Sequence, residues 1–431
     1  MKREDRITRR GFVRGVAAAT VAAPMIVPGS VLGGDEKEAP SERLTLGFIG
    51  IGKMNRGHLG RFLGYSDVQV LAVCDVDTTR REHAKKTVED RYSKDTTYKG
   101  CDAYVDYREL IARKDVDAVV IAAPDHWHTH PIVEACKAKK DIYCEKPLTL
   151  TIAEAKLSID AVRKHDVVFQ TGSQQRSSRE FRLACELVRN GRIGKIRRVD
   201  VGVGGPSQWC DLPEEEMEPG LDWNFWLGQA PTRPYNSILS PRGLHDHFPR
   251  WRSYREYSGG SMTDWGAHHF DIAQWGLGMD ESGPVEIIPP EDENATTGVK
   301  YVYEGGVEVI HGGTGGVTFV GTDGEIFVTR GKLSSKPEEI IKQPIGDDEI
   351  HLYESPGHQR DWLDCIRARK RPICDVEIGA RSVTVCHLGN LVYWNRRKLR
   401  WDPKRWEFPG DAEANGWRDR LRRDPWQLPT V

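Results

Sequence analysis

The chain has 431 residues, of which 38% are hydrophobic and 29% are charged, and this predicts a soluble globular protein with room for two domains. Its 62 Lys and Arg residues nearly balance 64 Asp and Glu residues, which argues against nucleic acid or an anionic membrane surface as a partner. No stretch reaches the roughly 20 apolar residues that a membrane span requires, so we expect none.

The first 33 residues have the pattern of a targeting segment. Thr8-Arg9-Arg10-Gly11-Phe12-Val13 matches the twin-arginine export signal, and the alanine-rich, mildly apolar segment 16–27 follows it. We predict that residues 1–33 are a twin-arginine signal peptide, which implies a periplasmic or other extracytoplasmic location. An ordinary basic amphipathic leader is the alternative. The polar residues 34–43 are predicted to form a linker.

Strands and helices alternate between residues 44 and 171. The predicted strands cover 44–49, 68–74, 115–122, 141–144 and 167–170, and the predicted helices cover 54–63, 78–90, 131–139 and 152–165. Such alternation predicts an α/β fold with a doubly wound parallel sheet, whose ligands bind at the carboxyl ends of the strands.

The pattern changes after residue 171. A helix at 179–190 precedes strands at 195–203, 299–303, 307–311, 317–320 and 325–329, which are joined by glycine-rich turns. This predicts an α+β domain over residues 172–400, built on a largely antiparallel open sheet. A long loop, 206–260, has the length of a binding loop. The helix at 358–369 is expected to brace the first domain, and the tail 401–431 to pack onto a neighbour.

A dinucleotide site is predicted at the first turn. Gly50-Ile-Gly52-Lys-Met-Asn55 follows a strand and opens a helix, although Asn55 replaces the third glycine of the usual fingerprint. Gly50 permits the tight turn, and Gly52 lets a pyrophosphate approach the backbone at the helix N-terminus. Asp75, which ends the second strand, is placed to hold a ribose 2′-hydroxyl and favours NAD. Arg80 lies close enough that NADP stays open.

The segment 261–271 is predicted to be one helix. Asp264 and His268 are four residues apart and would share a face, whereas His269 would point about 100° away. An acid beside a histidine fixes its tautomer and raises its basicity, as in a general base. The alternative is a helix with an ordinary buried histidine.

Metal binding and disulfide bonding are both disfavoured. The segments 126–130 and 245–247 contain alternate histidines, but no Cys-based or His-Glu-x-x-His spacing occurs, so we predict no metal. Nine scattered cysteines without a Cys-x-x-Cys pair are expected to be mostly buried thiols. The tryptophans around the long loop could stack on sugar rings or fill a core, and core is the commoner role.

Taken together, these segments resemble the Gfo/Idh/MocA oxidoreductases. The motifs that carry the resemblance occur in the family's order: Gly50-x-Gly52, Val73-Cys-Asp-Val-Asp77, Ala123-Pro-Asp-His-Trp-His128, Glu145-Lys146-Pro147, Gly259-Gly260 and Asp264-x-Gly-x-His268. The resemblance implies a Rossmann domain followed by an α+β domain whose open sheet often makes subunit contacts. A homo-oligomer, dimer or tetramer, is therefore expected.

The resemblance also implies the site. Lys146, Asp264 and His268 would be the catalytic group. The expected cofactor contacts are Gly50, Gly52, Lys53, Met54, Asn55, Asp75, Arg80, Pro124, His128, Glu145 and Lys146. The expected substrate contacts are Lys146, His268, His269, Trp251 and Gln175.

The function expected from this resemblance is hydride transfer between a secondary alcohol of a sugar, cyclitol or glycoside and a tightly held NAD. His268 would take the hydroxyl proton, Lys146 would stabilise the same oxygen, and Asp264 would orient His268 and balance the lysine charge. A redox-neutral, NAD-dependent glycosidase is the alternative. A sugar-binding protein without catalysis is a third reading, which the intact catalytic group disfavours.

Overall fold

Residues 42–431 are described by a computed structural model. The expected signal peptide, 1–33, and most of the expected linker lie outside the described residues. Among residues 42–431, no helix combines the length and apolar character needed to cross a bilayer.

The first sheet is parallel throughout and confirms the predicted doubly wound fold. Its order is β3-β2-β1-β4-β5-β6, the order of a Rossmann sheet. The central strands are apolar and buried because helices cover both faces. Its strands are β1 (Leu44–Ile49), β2 (Val68–Cys74), β3 (Asp102–Tyr104), β4 (Ala118–Ile121), β5 (Asp141–Cys144) and β6 (Phe169–Thr171).

Five helices connect these strands. They are α1 (Lys53–Phe62), α2 (Thr78–Tyr92), α3 (Tyr107–Ile111), α4 (Thr129–Lys137) and α5 (Ile152–His165). Side chains fix two of their starts: Asp77 accepts from the backbone N–H of Arg80, and Thr151 accepts from that of Glu154. Strand β3 and helix α3 were not predicted, because elements of three and five residues are too short to establish a period.

The second sheet has eight strands in the order β13-β12-β11-β7-β10-β9-β8-β14. Its neighbours are antiparallel except β7 and β10, which are parallel, so the predicted α+β domain is confirmed. Its strands are β7 (Ile196–Gly202), β8 (Glu286–Ile288), β9 (Lys300–Val302), β10 (Glu308–His311), β11 (Gly316–Gly321), β12 (Glu325–Thr329), β13 (Lys332–Lys336) and β14 (Leu399–Arg400).

Seven helices accompany this sheet: α6 (Arg179–Arg189), α7 (Trp223–Leu227), α8 (Ser261–Asp264), α9 (Gly266–Leu277), α10 (His358–Ala368), α11 (Val376–Asn395) and α12 (Ala412–Gly416). The longest, α11, was not predicted from the sequence. It packs against α9 and α5, and 16 of its 20 residues are buried. A helix buried on nearly all sides has no polar face, so its sequence lacks the amphipathic period that identifies surface helices.

Helix α10 lies on the first domain. Its Trp362 is fully buried in the core of the parallel sheet, with edge-on ring contacts to Phe62 and Tyr143. Arg360 Nη1 also donates to Asp67 Oδ2 at 2.8 Å. The two domains are therefore joined by apolar packing and by an ion pair.

The tail packs on its own chain. Arg422 Nη2 is 2.9 Å from Glu154 Oε1, and both side chains are almost completely buried. Trp426 stacks on Phe225 with ring centroids 5.3 Å apart. A buried carboxylate such as Glu154 needs a charged partner, and the tail supplies it.

The long loop, 206–260, has a small core of its own. Apolar side chains from this segment bury one another, and they include Trp223, Trp226 and Trp251. These tryptophans thus fill a core, as their residue type predicts. Trp209, in contrast, is 62% exposed.

Candidate functional site

The glycine turn after β1 forms one wall of a cleft at the carboxyl edge of the parallel sheet. Gly50 has φ +78°, and a Cβ on it would lie 2.7 Å from the Ala123 Cα atom, so only glycine fits there. Gly52 precedes α1, and a Cβ on it would meet nothing within 4 Å. Its Cα therefore faces open space at a helix N-terminus that no side chain caps.

Asp75 lies directly after β2 and lines the same cleft. Its Oδ2 accepts from the backbone N–H of Ile51 at 2.5 Å, and its Oδ1 accepts from that of Asp77 at 2.8 Å. Burial raises the pKa of Asp75, and the nearby Arg80 opposes that rise. The carboxyl group thus holds the glycine turn as well as facing the cleft.

These residues fit a dinucleotide. The open space over Gly52, the free amides of α1 and the acid after β2 are the three features that such a cofactor requires. Lys53, Met54 and Pro124 also line the cleft.

Asn55, which was expected to contact the cofactor, lies behind the turn. It is fully buried, and its Nδ2 donates to the carbonyl oxygens of Ile49 at 3.1 Å and Gly50 at 2.9 Å. An amide that ties two carbonyls to the first turn of α1 explains how a residue other than glycine is accommodated at this position.

A segment of the long loop, residues 240–250, closes over the cleft, and we call it the strap. Lys53 Nζ donates to the carbonyl oxygen of Asp246, and Arg56 Nη2 donates to that of His245. Arg80 Nη2 donates to the carbonyl oxygen of Pro241 and reaches Ser240 Oγ at 3.4 Å through Nη1. Three cations of the first domain therefore hold the strap.

A second cavity, of about 450 Å³, adjoins this cleft. The two share a wall that includes Met54, Ala123, Trp251 and Arg252. The second cavity is lined by Lys146, Asp264 and His268, so the structure brings the three expected catalytic residues together beside the cofactor cleft.

Lys146 is bound to Asp264. Its Nζ donates to Asp264 Oδ1 at 2.6 Å and to the Asp264 carbonyl oxygen at 2.9 Å. Partial burial would raise the pKa of Asp264, but the charges of Lys146 and Arg252 outweigh it and hold that pKa below its ordinary value. The pair is therefore ionic.

Asp264 forms no hydrogen bond or ion pair with the imidazole of His268 in the described part of the chain, contrary to the expectation from their spacing. Helix α8 ends at Asp264 and α9 begins at Gly266, with Trp265 between them. The expected single helix over 261–271 is thus broken at the residue that follows the carboxylate. The Asp264 carboxylate is instead taken up by Lys146.

His268 is an uncharged base in the cavity. Its Nδ1 is buried and has no hydrogen-bond partner among residues 42–431. Burial, followed by the charges of Lys146 and Arg330, holds the pKa of His268 well below its ordinary value. A neutral imidazole at neutral pH can accept a proton.

Two expected substrate contacts lie outside the cavity. His269 Nδ1 is 3.2 Å from the carbonyl oxygen of Gly202, so its ring faces the second sheet, as the 100° step along a helix requires. Gln175 is buried; oriented so that its amide nitrogen donates to the His268 carbonyl oxygen at 3.1 Å, its oxygen accepts from Arg330 Nε at 3.3 Å. Its neighbour Gln174 lines the cavity instead.

Glu145 and His128 support the floor of the cavity. Glu145 Oε1 is 2.8 Å from His58 Nε2. Burial would raise the pKa of Glu145, but His58 and then Lys146 lower it below its ordinary value. His128 lies between two carbonyls, with Nδ1 2.9 Å from the oxygen of Pro147 and Nε2 2.9 Å from that of Ala123.

Among the cavity residues that were not predicted as site residues are one carboxylate, Asp125, and three arginines, Arg250, Arg252 and Arg330. Asp125 is buried, accepts from Ser258 Oγ at 2.6 Å, and has its pKa raised by burial to about 7. It lies inside the quoted motif 123–128, which was a sequence signal for it. Arg252 and Arg330 also line the cavity, but they come from the long loop and from the turn after β12, and nothing local in the sequence marks them.

The histidine clusters do not assemble a metal site in the part of the chain that the structure describes. No group of three His, Cys, Asp or Glu side chains in residues 42–431 is placed to hold a metal ion. His126 Nε2 lies 3.0 Å from the carbonyl oxygen of Trp226, and His130 Nε2 lies 3.1 Å from that of Gln427. All nine cysteines are free thiols, and eight of them are buried.

Two family models match the chain. One, described as "Oxidoreductase family, NAD-binding Rossmann fold", matches residues 44–173. The other, described as "Oxidoreductase family, C-terminal alpha/beta domain", matches residues 204–428, more than half of the chain. The first match confirms the expected cofactor class, NAD, for the parallel-sheet domain.

Relatives and solved structures agree with these matches. The myo-inositol 2-dehydrogenase of Thermotoga maritima is 32% identical over 152 residues, which are 35% of this chain and 42% of that relative. The alpha-N-acetylgalactosaminidase of Shewanella oneidensis is 29% identical over 186 residues, 43% of this chain and 40% of that relative. These matches thus span less than half the length of either relative.

A solved structure shows the same fold over most of the chain. The WlbA dehydrogenase from Bordetella pertussis, in complex with NADH and UDP-GlcNAcA, has a TM-score of 0.59 at 18% identity. The match covers 84% of this chain and 99% of that chain.

Proposed function

The chain belongs to the Gfo/Idh/MocA oxidoreductase family, and from that premise we propose that it transfers hydride between NAD and a secondary alcohol of a sugar, cyclitol or glycoside. The observation that carries the proposal is the Lys146–Asp264 pair. It lies with His268 in a cavity that shares a wall with the dinucleotide cleft. The dehydrogenase and glycosidase relatives act on molecules of this class, to judge by their names.

In the proposed reaction each side chain of the site has a separate role at the reacting hydroxyl group. Lys146 Nζ donates a hydrogen bond to the hydroxyl oxygen and stabilises the negative charge that develops there. Asp264 fixes the position of Nζ through its 2.6 Å hydrogen bond. When bound, NAD supplies the hydride acceptor.

His268 accepts the hydroxyl proton. Its imidazole is neutral and can accept a proton. A hydroxyl group that is losing hydride becomes strongly acidic, so even a weak base takes its proton late in the reaction. The low pKa of His268 means that the imidazolium readily gives the proton up again. Lys146 and Arg330, the cations that lower the pKa of His268, are also the groups that would repel the imidazolium.

We expect the protein to prefer NAD over NADP. We also expect it to retain the bound cofactor rather than exchange it. The 2′-phosphate of NADP would meet the Asp75 carboxyl, while Arg80 is turned to the strap and Arg81 Nη1 donates to the Asp75 carbonyl oxygen at 2.8 Å. Neither guanidinium is therefore left for a phosphate. The strap, held by Lys53, Arg56 and Arg80, closes over the cleft and would slow the release of the cofactor.

A redox-neutral glycosidase is the second candidate. It is supported by the galactosaminidase relative and by Asp125, a cavity carboxyl whose pKa of about 7 lets it hold or release a proton near neutrality. Oxidation at C3 acidifies the neighbouring C2–H, so the aglycone can be eliminated from C1. Addition of water across the resulting C1–C2 double bond and re-reduction at C3 then leave no net redox change. Free aglycone without accumulated NADH identifies this reaction.

The direct test is to purify the protein, measure bound nicotinamide by absorbance, and screen sugars, cyclitols and glycosides for reduction of that nicotinamide. Reduction by at least one of them supports the proposal. If no nucleotide is bound or taken up, or if Lys146→Met turns over substrate at the wild-type rate, the proposal is wrong. Sugar binding with an intact nucleotide but no reduction points to a binding protein.

We also propose that the protein is exported by the twin-arginine route and acts outside the cytoplasm. The support is the Arg9-Arg10 motif and the mildly apolar segment that follows it. A cofactor that is retained rather than exchanged also suits a location outside the cytoplasm. Cell fractionation tests it: replacing both arginines with lysine should retain the protein in the cytoplasm.

A homo-oligomer built on the eight-stranded sheet is proposed as well. Strands β12 and β10 alternate buried and half-buried residues, so one face of that sheet is accessible in the single chain. A monomeric mass in light scattering at micromolar concentration would contradict it.

A further inference from the structure

The substrate cavity carries more positive charge than a neutral sugar needs. Four cations line it, namely Lys146, Arg250, Arg252 and Arg330, against three carboxylates, Asp125, Glu145 and Asp264. Arginine is costly to bring near other cations without a counter-charge, so the partners of these groups decide what the cavity can bind.

The carboxylates are already committed to other partners. Glu145 is bound to His58 at 2.8 Å, and Asp264 is bound to Lys146 at 2.6 Å. Asp125 accepts from Ser258, and burial raises its pKa to about 7, so at neutral pH a substantial fraction of it is uncharged. Because Lys146 and Asp264 cancel each other, three arginines remain against Glu145 and a partly charged Asp125, and the cavity keeps a net positive charge.

Two of these arginines share one carboxylate, Asp264, with Lys146. Arg252 Nε forms a long ion pair with Asp264 Oδ1 at 3.7 Å, and its Nη1 donates to the Pro249 carbonyl oxygen at 3.2 Å. Its guanidinium stacks 4.1 Å from the Trp251 ring centre. Arg330 stacks 4.7 Å from the ring centre of Trp265 and donates to the Gln175 amide. Within residues 42–431, Arg330 forms no ion pair with a carboxylate.

Aromatic stacking leaves the edge of a guanidinium free. The N–H groups of a stacked arginine point outward in the plane of the group, where a carboxylate or phosphate can accept two of them together. Arg252 and Arg330 come from separate segments of the chain and converge on one cavity, beside the lysine that is to hold the reacting hydroxyl group.

We propose that the substrate is an anionic sugar, whose acid group is bound by Arg252 and Arg330 while a secondary hydroxyl group is held by Lys146. A sugar carboxylate, as in a uronate, and a sugar phosphate both present the oxyanion that this geometry recognises. This inference rests on the proposed function, since it names the class of substrate for the same cavity.

The test compares matched sugars on the NAD-loaded enzyme. D-glucuronate is set against D-glucose, D-galacturonate against D-galactose, and glucose 6-phosphate against glucose, with reduction of the bound nicotinamide as the readout. We expect at least one acid to exceed its neutral partner in kcat/KM by about 10- to 100-fold, the effect of a charge-assisted hydrogen bond. The uronate and phosphate arms then separate the two sources of charge.

Two variants assign the effect to the arginines. Arg252→Gln and Arg330→Gln should each lower the ratio of kcat/KM for the acid to that for its neutral partner by about tenfold, mainly through KM. Arg330→Lys should restore part of the ratio, because lysine carries the positive charge but lacks the planar pair of N–H donors of a guanidinium. Arg197→Gln, at an exposed arginine on β7, is the matched control and should leave the ratio unchanged.

Binding without turnover provides the second readout. The NAD-loaded Lys146→Met variant should be stabilised thermally by D-glucuronate or glucose 6-phosphate more than by D-glucose, and this difference should disappear when Arg330→Gln is added. If neutral sugars reduce the nicotinamide as well as the acids do, the inference is wrong and the proposed oxidoreductase stands. If only neutral cyclitols or glycosides of the direct test reduce it, the inference is wrong and the proposed oxidoreductase again stands. If no compound of either screen reduces it, the proposed function itself is wrong.

Discussion

The cofactor cleft and the substrate cavity share a wall, yet backbone groups form the cleft and side chains form the cavity. The cleft depends on backbone: the left-handed turn at Gly50, the open space over Gly52 and the amides of α1. The cavity depends on charged side chains, chiefly Lys146 and Asp264, that come from separate segments. A backbone site leaves a local motif in the sequence, whereas a side-chain site has to be assembled by the fold.

The largest effect should come from a change in the substrate cavity, which is formed by side chains. Lys146→Met removes the donor to the reacting oxygen, and we expect kcat to fall by about 10²- to 10⁴-fold. Because Nζ contacts Asp264 rather than the glycine turn, the variant should still bind NAD, and its NAD affinity should fall far less than kcat. Steady-state kinetics and the absorbance of bound nicotinamide measure the two quantities, and a parallel loss of NAD would show that the cleft and the cavity are not separable.

The cofactor cleft, which is formed by backbone, can be blocked without removing any contact. Gly52→Val places a side chain in space that is open in the protein, at an ordinary φ of −71°. We expect the melting temperature of the NAD-free protein to be close to wild type and NAD affinity to fall about 100-fold or more, because the pyrophosphate must approach the backbone there.

The matched control is Gly57→Val, at an exposed glycine of the same helix where a Cβ also meets nothing. It should retain NAD in a calorimetric titration. Wild-type affinity in the Gly52 variant would contradict the assignment of the cleft.

Retention of the cofactor should depend on the strap. Arg56 lines neither the cleft nor the cavity, but its Nη2 donates to the His245 carbonyl oxygen and lies 3.3 Å from Asp246 Oδ1. Arg56→Gln should therefore speed NAD dissociation about tenfold, the loss of one charge-assisted hydrogen bond, with little change in kcat. Lys86→Gln, which removes an exposed ion pair to Asp90, is the control, and stopped-flow dissociation is the measurement.

The same division explains what the sequence could predict. The parallel sheet, the glycine turn and Asp75 follow from local patterns of strand, turn and helix, and the structure places all of them as expected. Lys146 follows from its position at a strand end. Helix α11 did not follow, because burial on nearly every side removes the amphipathic period.

The interior of the cavity was harder to predict. The spacing of Asp264 and His268 indicated a hydrogen-bonded pair, but the Asp264 carboxylate is bound by Lys146 instead. Arg252 and Arg330 lie in a long loop and a turn, where no period constrains the residue type. Their convergence is a property of the tertiary fold, so one sequence gives no local signal for it.

The last prediction tests whether the cavity holds an uncharged acid. The pKa of Asp125 is raised by burial, from an ordinary value of 3.8 to about 7. A group whose pKa is higher in the folded protein than in the unfolded chain stabilises the fold fully below the unfolded pKa. That stability is lost as the pH rises from about 3.8 through about 7.

Asp125→Asn removes the ionisation but keeps an oxygen that can accept from Ser258 Oγ. At pH 8 the wild type carries a buried charge that the variant lacks, a difference of up to about 4 kcal/mol in the free energy of unfolding. The variant should therefore melt a few degrees higher than wild type at pH 8, and the gain should shrink at pH 4.5, where Asp125 is protonated in the folded state. An equal shift at both pH values would mean that Asp125 is charged throughout, and the cavity would then have one more counter-charge for its arginines.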